Sequence, residues 1–264
     1  MRPALHLRQV CLAVPRLAPV LDDLQAILGL QVCHRDPQLA GFGLHNALLP
    51  MGEDFLELVA PQQADTAAGR FIQRSRGHGG YMAIFQTPNP LERQAAAQAL
   101  GVRTAHEIDV PGYRSVQLHP RDCRAAFIEL GHSLPDAPDR HDDTSRLGPW
   151  WPAGPQAAAQ AAQAGGCRLR AVVLASPQPE DLARHWARIL DRPLVTDQPQ
   201  PGFDVDGTAL RVVHGPAEVL DQLVLAVPEP AAALARAVDR GLWVQADRFH
   251  LAGVHLQLVG AGAA

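Results

Sequence analysis

An internal repeat constrains the fold of this chain more than any other feature of its sequence. A strand, a helix and further strands fill the first 61 residues, and the same order begins again at Tyr81. Gln9 stands 48 residues before Glu57, and Tyr81 stands 48 residues before Glu129. Both glutamates follow Phe and one aliphatic residue and precede Leu. A fixed spacing of this kind indicates tandem copies of one supersecondary unit.

Hydrophobic periodicity predicts the elements of the first copy. Residues 5–14 alternate as a strand, and residues 17–28 carry apolar side chains at helical spacing before a closing glycine. A second strand is predicted at 31–35. Residues 41–61 are predicted to form two more strands, joined by a tight turn at 51–54.

The last strand of this copy places a carboxylate in an apolar run. Because side chains alternate along a strand, Phe55, Glu57 and Val59 share one face and Leu56 and Leu58 share the other. A carboxylate in such a strand either reaches solvent or lines a cavity where it has partners. Its repeated position favours the cavity.

Two further copies are predicted in the second half of the chain. The segment Q-V-C-L-A-V-P at 9–15 closely matches Q-L-V-L-A-V-P at 222–228. The prediction is therefore an α+β chain of four βαβββ modules in two domains, residues 1–135 and 167–264. A Pro-flanked charged stretch, a G-P-W-W-P segment and an Ala/Gln run identify residues 136–166 as the linker.

Composition excludes several classes of function. No run of 18 apolar residues predicts a membrane helix, and the N-terminal residues lack the apolar core of a secretory signal. A cytoplasmic location is therefore expected. The net charge of −4 without a basic cluster argues against nucleic-acid binding, and the absence of lysine excludes a Schiff base. The expected partner is a small molecule, and the chain is expected to be a monomer or a homodimer.

Residues 41–61 also carry a family resemblance. Their sequence, G-F-G-L-H-N-A-L-L-P-M-G-E-D-F-L-E-L-V-A-P, is similar to the G-T-H-N-x-L-L-P-L-G and Y-L-E-L stretches of glyoxalase-like domain proteins. The four modules resemble the vicinal oxygen chelate (VOC) superfamily, in which paired βαβββ units form an open cup. Glyoxalase I, extradiol dioxygenases, methylmalonyl-CoA epimerase and bleomycin-resistance proteins belong to it. The resemblance covers nearly the whole chain and implies two cup-like VOC domains.

The resemblance implies a set of metal-ligand positions on the first and last strands of paired modules. In the first half these positions are Gln9, Glu57, Tyr81 and Glu129. Gln9, Glu57 and Glu129 are the predicted metal ligands, and their oxygen donors suit Mg²⁺, Mn²⁺, Fe²⁺, Ni²⁺ or Zn²⁺. A neutral phenol is a poor ligand, so Tyr81 is predicted to be a wall of the pocket.

The corresponding positions of the second half hold no carboxylate. They are Ala171, Arg211, Gln222 and Gln257. An arginine without an acid does not make a cation site. The C-terminal domain is therefore predicted to be a degenerate VOC domain.

One hypothesis makes the protein an enzyme. A divalent metal in the N-terminal cup would support a lyase or isomerase, with Glu57 or Glu129 as general base. His45 is assigned to the pocket, as a base or as a replacement ligand. A dioxygenase is less favoured, because the His/His/Glu triad of the iron dioxygenases is missing.

The alternative is a metal-free binding protein similar to the drug-sequestering bleomycin-resistance members. Phe55, Tyr81 and Phe85 would hold an apolar or aromatic ligand, and the two glutamates would meet a cationic or hydroxyl group. Asn46 neighbours His45 on one strand, so the two side chains face opposite ways. Asn46 is kept as a further candidate for ligand contact.

Overall fold

The repeat in the sequence is a repeat of strand pairing. A computed structural model describes residues 3–133, 150–154, 166–195 and 198–262. The first half contains β1 (His6–Ala13), α1 (Leu17–Leu28), β2 (Leu44–Met51), β3 (Asp54–Pro61), α2 (Ala67–Arg74), β4 (Gly80–Gln86), α3 (Pro90–Ala99), β5 (Thr104–Val110), β6 (Tyr113–Leu118), α4 (Pro120–Cys123) and β7 (Phe127–Ser133). The second half contains β8 (Arg168–Ser176), α5 (Pro179–Ile189), β9 (Gly202–Val205), β10 (Thr208–His214), β11 (Val219–Val227), α6 (Pro230–Asp239), β12 (Val244–Gln245), β13 (Arg248–Leu251) and β14 (Val254–Gly260).

Both halves have the same strand order. The first half runs β2-β3-β1-β4-β7-β6-β5 and the second runs β9-β10-β8-β11-β14-β13-β12. In every module the last strand lies parallel to the first, and the first strands of paired modules lie antiparallel. A short pairing of Leu220 with Gly80 joins the two halves into one curled sheet. The predicted α+β fold of cup-like modules is thereby confirmed.

Within the described residues, the odd-numbered modules lack one regular strand. The strand predicted at 31–35 is reduced to a single bridge between His34 and Leu48, and module 3 has a single bridge between Val195 and Gly202. In module 1 the chain turns into a short 3₁₀ helix, Pro37–Phe42, whose first turn is capped by the side chain of Asp36. Because proline has no N–H to donate to a strand partner, pairing stops there.

Two clusters of buried side chains lie on opposite faces of the first-half sheet. The larger cluster contains the predicted stripe of Val10, Leu12, Leu56 and Leu58, together with the buried face of α1. The smaller cluster lies on the cup side and includes Trp150. Burying a leucine or valine side chain contributes about 1.5–3 kcal/mol, so these stripes determine which face the helices cover.

The two halves pack against each other through their helices. Arg236 of α6 donates to the carbonyl oxygen of Ile27 in α1, and Trp186 of α5 donates its indole N–H to the carbonyl oxygen of Cys123. Arg124 bonds the carboxylate of Glu218 from across the same boundary. The larger core cluster includes side chains from both halves.

The predicted domain boundaries stay predictions. Most of the predicted linker 136–166, including its Ala/Gln run, lies outside the described residues; only 150–154 and Gly166 lie within them. In the described part of the chain, no helix is both long and apolar enough to cross a membrane.

Candidate functional site

The cup of the first half encloses a cavity of about 520 Å³. Strands β1 to β7 and helix α2 contribute side chains to its lining, and Trp151 and Pro152 add to it from the segment beyond β7. Most of these side chains are apolar or aromatic, and polar side chains, including those of Glu57 and Glu129, form the rest of the lining. A concave site of this size and composition is typical of a small-molecule pocket.

Glu57 lies on β3 in the lining of this cavity and is 7% exposed. Its carboxylate accepts hydrogen bonds from Asn46 Nδ2 at 2.7 Å and from Gln9 Nε2 at 2.7 Å. Burial raises the pKa of Glu57, the hydrogen bonds from Asn46, Gln9 and Cys11 oppose that rise, and the negative charge of Glu129 adds to it. Glu57 is thus a desolvated acid held by neutral donors.

Glu129 occupies the matching place on β7 and is 5% exposed. Its two oxygens accept from the Tyr113 hydroxyl and from Gln117 Nε2, each at 2.9 Å. Burial and then the charge of Glu129 raise the pKa of Tyr113 well above its ordinary value. Tyr113 therefore donates as a neutral phenol, and Glu129, like Glu57, has neutral partners.

Gln9 connects Glu57 to Trp150. Its amide nitrogen donates to Glu57, and its amide oxygen accepts from Trp150 Nε1 at 2.9 Å. An indole N–H only donates and an ionised carboxylate only accepts, so this orientation of the amide is fixed by chemistry. Trp150 is 1% exposed, and the guanidinium carbon of Arg8 lies 5.2 Å from the centre of its ring.

Aromatic rings form two contact groups around the glutamates. The Tyr81 ring lies 4.9 Å from that of Phe71 and 5.0 Å from that of Phe127, measured between ring centres. The Tyr113 ring stacks on Trp151 at 5.3 Å. Tyr81 lines the cavity as predicted for a wall residue.

The pairing of the strands corrects one of the equivalent positions that the repeat in the sequence had suggested. Gln9 pairs with Phe55 and Cys11 pairs with Glu57 across β1 and β3. In the second module Met82 pairs with Phe127 and Ile84 pairs with Glu129. Met82, and not Tyr81, is therefore the equivalent of Gln9, and the predicted equivalence was wrong by one residue.

The structure places Asn46, rather than His45, at the cavity. Asn46 lies in the lining and donates to Glu57. His45 precedes it on the same strand, points to the other face and does not line the cavity. The assignment of His45 to the pocket was wrong, because paired residues of an antiparallel hairpin share a face and Glu57 pairs with Leu48.

Two predicted ligand contacts also fall outside the lining. Phe85 is fully buried in the cluster on the helix side of the sheet, because Met82 and Ile84 are the β4 residues that face the cup. Phe55 belongs to the cup-side cluster but is fully buried and does not line the cavity. Neither ring can contact a ligand there.

Residues that the sequence prediction did not include complete the site. Gln117 pairs with Glu129 across β6 and β7, so the hairpin register was a usable signal for it. Cys11 lies beside Glu57 and lines the cavity as a buried thiol, its pKa raised well above the ordinary value by burial and then by Glu57. Trp151 lines the cavity from the predicted linker; the G-P-W-W-P segment was the signal for it, although packing of the linker onto the core was the favoured interpretation of that segment.

The predicted metal ligands do not fit a divalent ion in this arrangement. The only ligating atom of Gln9 is its amide oxygen, and it is bonded to Trp150. Met82 occupies the fourth position, and a thioether is a poor ligand for a hard cation. Among the described residues, no group of three or more His, Cys, Asp or Glu could hold a metal ion.

Comparisons with known proteins identify a family and show a likeness to a solved structure over nearly the whole chain. A family model described as a glyoxalase-like domain matches residues 10–190. A hypothetical protein from Staphylococcus aureus is 11% identical, with a TM-score of 0.65 over 97% of this chain and 99% of that one. This likeness shows the shared fold alone.

Shorter structures match about half of the chain. A hypothetical protein from Bacillus halodurans is 25% identical, with a TM-score of 0.45 over 51% of this chain and 99% of that one. A variant of Streptomyces coelicolor methylmalonyl-CoA epimerase in complex with 2-nitronate-propionyl-CoA is 22% identical, with a TM-score of 0.45 over 51% of this chain and 100% of that one. No curated protein matches the sequence.

Proposed function

The chain belongs to the glyoxalase-like domain family, and from that premise we propose that its N-terminal cup binds a small organic molecule without a metal ion. One observation carries the proposal. Two buried glutamates, Glu57 and Glu129, line a largely apolar cavity of about 520 Å³, and both are held by neutral hydrogen-bond donors.

The division of polar and apolar groups supports binding. The apolar walls supply affinity, since each Å² of apolar ligand surface that they cover contributes about 25 cal/mol. The carboxylates supply orientation, because each oxygen accepts a hydrogen bond from an amide or hydroxyl group of the protein and has lone-pair capacity for another. A ligand with an apolar body and one polar end matches both features.

A second candidate, a lyase or isomerase, rests on Glu57. A buried carboxyl group whose pKa is raised in a cavity is suited to accept a proton from a bound substrate near neutral pH. In this reading Glu57 removes the proton, and Asn46 and Gln9 hold the carboxylate in position. Replacing Glu57 by Gln should then stop exchange of a ligand C–H proton with D₂O, measured by NMR, while the ligand stays bound.

Blocking the cavity mouth tests the proposed binding directly. Ala105 lies in the lining on β5 and is exposed, so a larger side chain there does not disturb the core. We expect Ala105→Trp to lower the affinity for a neutral aromatic probe, 2-naphthalenemethanol, by at least about tenfold in calorimetry. Ala231→Trp, at an exposed position of α6 in the other half, is the matched control. Equal binding by both variants would place the probe elsewhere.

Elemental analysis separates the metal-free proposal from the metalloenzyme hypothesis. Protein prepared without chelator should contain no stoichiometric metal, and added Mg²⁺, Mn²⁺, Fe²⁺, Ni²⁺ or Zn²⁺ should leave Tm unchanged within about 1 °C, because a tight ligand stabilises the folded state. Stoichiometric metal that disappears in Glu57→Gln and Glu129→Gln would refute the metal-free site. It would also require Gln9 to turn away from Trp150.

A further inference from the structure

We propose that the ligand of the N-terminal cup is an organic cation, an amine or related nitrogen base on an aromatic or apolar body. The inference rests on the proposed function and names the class of molecule that the site takes. It is drawn from the charges and rings around Glu57 and Glu129.

The charge balance of the cavity favours a cation. Within the described part of the chain, neither Glu57 nor Glu129 forms a salt bridge, and all their side-chain hydrogen bonds come from uncharged donors. Two buried acids in one cavity raise the cost of ionising both. A cation placed between them removes that cost, whereas an anion increases it.

The aromatic walls of the cavity also favour a cation. Tyr81, Phe127, Tyr113 and Trp151 all line the cavity that contains the two acids. Aromatic rings attract cations through their quadrupoles, by about 0.5–2 kcal/mol for each good contact, and combinations of rings recognise ammonium groups. A neutral alcohol would gain the hydrogen bond to a glutamate but not the attraction between a cation and the aromatic rings.

The positive charge in the cavity lining lies away from the two glutamates. Arg70 is the single arginine in the cavity lining, and it is exposed. Its charge lowers the pKa of Tyr81 against the larger effect of burial, so it lies near that ring. Neither carboxylate has Arg70 as an ion-pair partner, so the positive charge is left at the solvent-exposed part of the lining and the buried part stays acidic.

Three probes with one aromatic body and different charges test the inference. They are 2-naphthylmethylamine, 2-naphthalenemethanol and 2-naphthylacetate, titrated into the full-length protein at neutral pH by calorimetry. We expect the amine to bind at least about tenfold more tightly than the alcohol, and the acetate to bind most weakly, since hydrogen bonds to charged groups contribute about 1.5–3 kcal/mol.

Substitutions locate the effect at the glutamates. Replacing both Glu57 and Glu129 by Gln should weaken binding of the amine by about tenfold to a hundredfold and binding of the alcohol by less than about threefold. Glu229→Gln, which removes an exposed acid outside the cavity, should change neither. Thermal unfolding of each variant confirms that it is folded.

The possible failures are distinguishable. If the alcohol or the acetate binds as tightly as the amine, the cation assignment is wrong and the proposed small-molecule site stands. The same conclusion follows if the double variant weakens all three probes equally. If none of the probes binds at millimolar concentration, both the cation assignment and the proposed function are refuted.

Discussion

The two halves of the molecule have the same strand order but place different chemistry at equivalent positions. Gln9 and Glu57 in the first module match Gln222 and Gln257 in the fourth, as the parallel pairings show. In the first half the glutamine joins a buried acid to a buried indole. In the second half Gln222 donates to Gln257 and accepts from Arg248, both of which are half-exposed.

Charges in the second cup are matched within the protein. Arg211 forms an ion pair with Asp204 at 2.9 Å, and Gln257 donates to Asp247 at 2.6 Å. That half keeps its fold with no carboxylate at the Glu57 position. The fold therefore does not require buried acids, so their presence in the first cup needs a reason other than folding, and ligand binding supplies one.

Trp150→Ala is expected to give the largest difference in stability between substitutions in the two halves. Removing a fully buried indole leaves a cavity and an unpaired Gln9 oxygen, so we expect a loss of about 3–5 kcal/mol in the free energy of unfolding, measured in urea. Trp243 in the second half is 53% exposed, and Trp243→Ala should cost less than about 1 kcal/mol. Similar losses would show that the two cups are equally dependent on their tryptophans.

Gln9→Leu and Gln222→Leu form a matched pair of intermediate effect. In the first cup the substitution leaves the Trp150 indole N–H and a Glu57 oxygen without a partner, which should cost about 1–3 kcal/mol. In the second cup Arg248 and Gln257 reach water, so the cost should stay below about 1 kcal/mol. Urea unfolding of both variants measures the difference, and equal costs would contradict it.

The smallest expected effect is on the pH dependence of stability, to which Glu57 and Glu218 contribute with opposite signs. The folded-state pKa of Glu57 is raised, so the native state holds more protons than the unfolded state above the ordinary value of 4.5. Its contribution to stability therefore falls as pH rises through that window. Glu57→Gln should flatten this part of a plot of urea midpoint against pH.

Glu218 provides the contrasting case. The guanidinium of Arg124 holds the pKa of Glu218 below its usual value. The stabilisation is present above 4.5 and is lost as pH falls through the lowered pKa. Glu218→Gln removes this ion pair, so it should lower the urea midpoint at neutral pH and reduce the further loss of stability in acid, while the slope of the plot in the neutral range stays unchanged. A changed neutral-range slope in this variant, or an unchanged slope in Glu57→Gln, would contradict the assignment.

The repeat and the alternation of apolar residues were sufficient to predict the fold, because each strand buries one face. The repeat and the alternation were insufficient to predict which side chains of β4 face the cup. The pairing of β1 with β4 shifts its register between Cys11 and Leu12, and both Tyr81 and Met82 line the cup. An extra residue reverses the faces of all residues beyond it, which explains why the Phe85 prediction was wrong. Gly79 and Gly80 precede this shift, and glycine is common at bulges.

The site was predictable where it depends on hairpin register. A two-residue turn between Met51 and Asp54 fixes which β2 residues share the face of Glu57, so Asn46 could have been chosen over His45. The contact of Trp150 with Gln9 could not be predicted. It joins residues 141 apart in the chain, and no local pattern specifies how a linker returns to a sheet.

The contact between Trp150 and Gln9 also determines which part of the chain contains the complete site. A fragment cut at residue 135 would keep Gln9, Glu57 and Glu129 but would lose the indole that fixes the Gln9 amide. It would also lose Trp151, which forms part of the cavity wall. The smallest part of the chain that keeps the whole site is therefore the first module pair together with the segment that follows it.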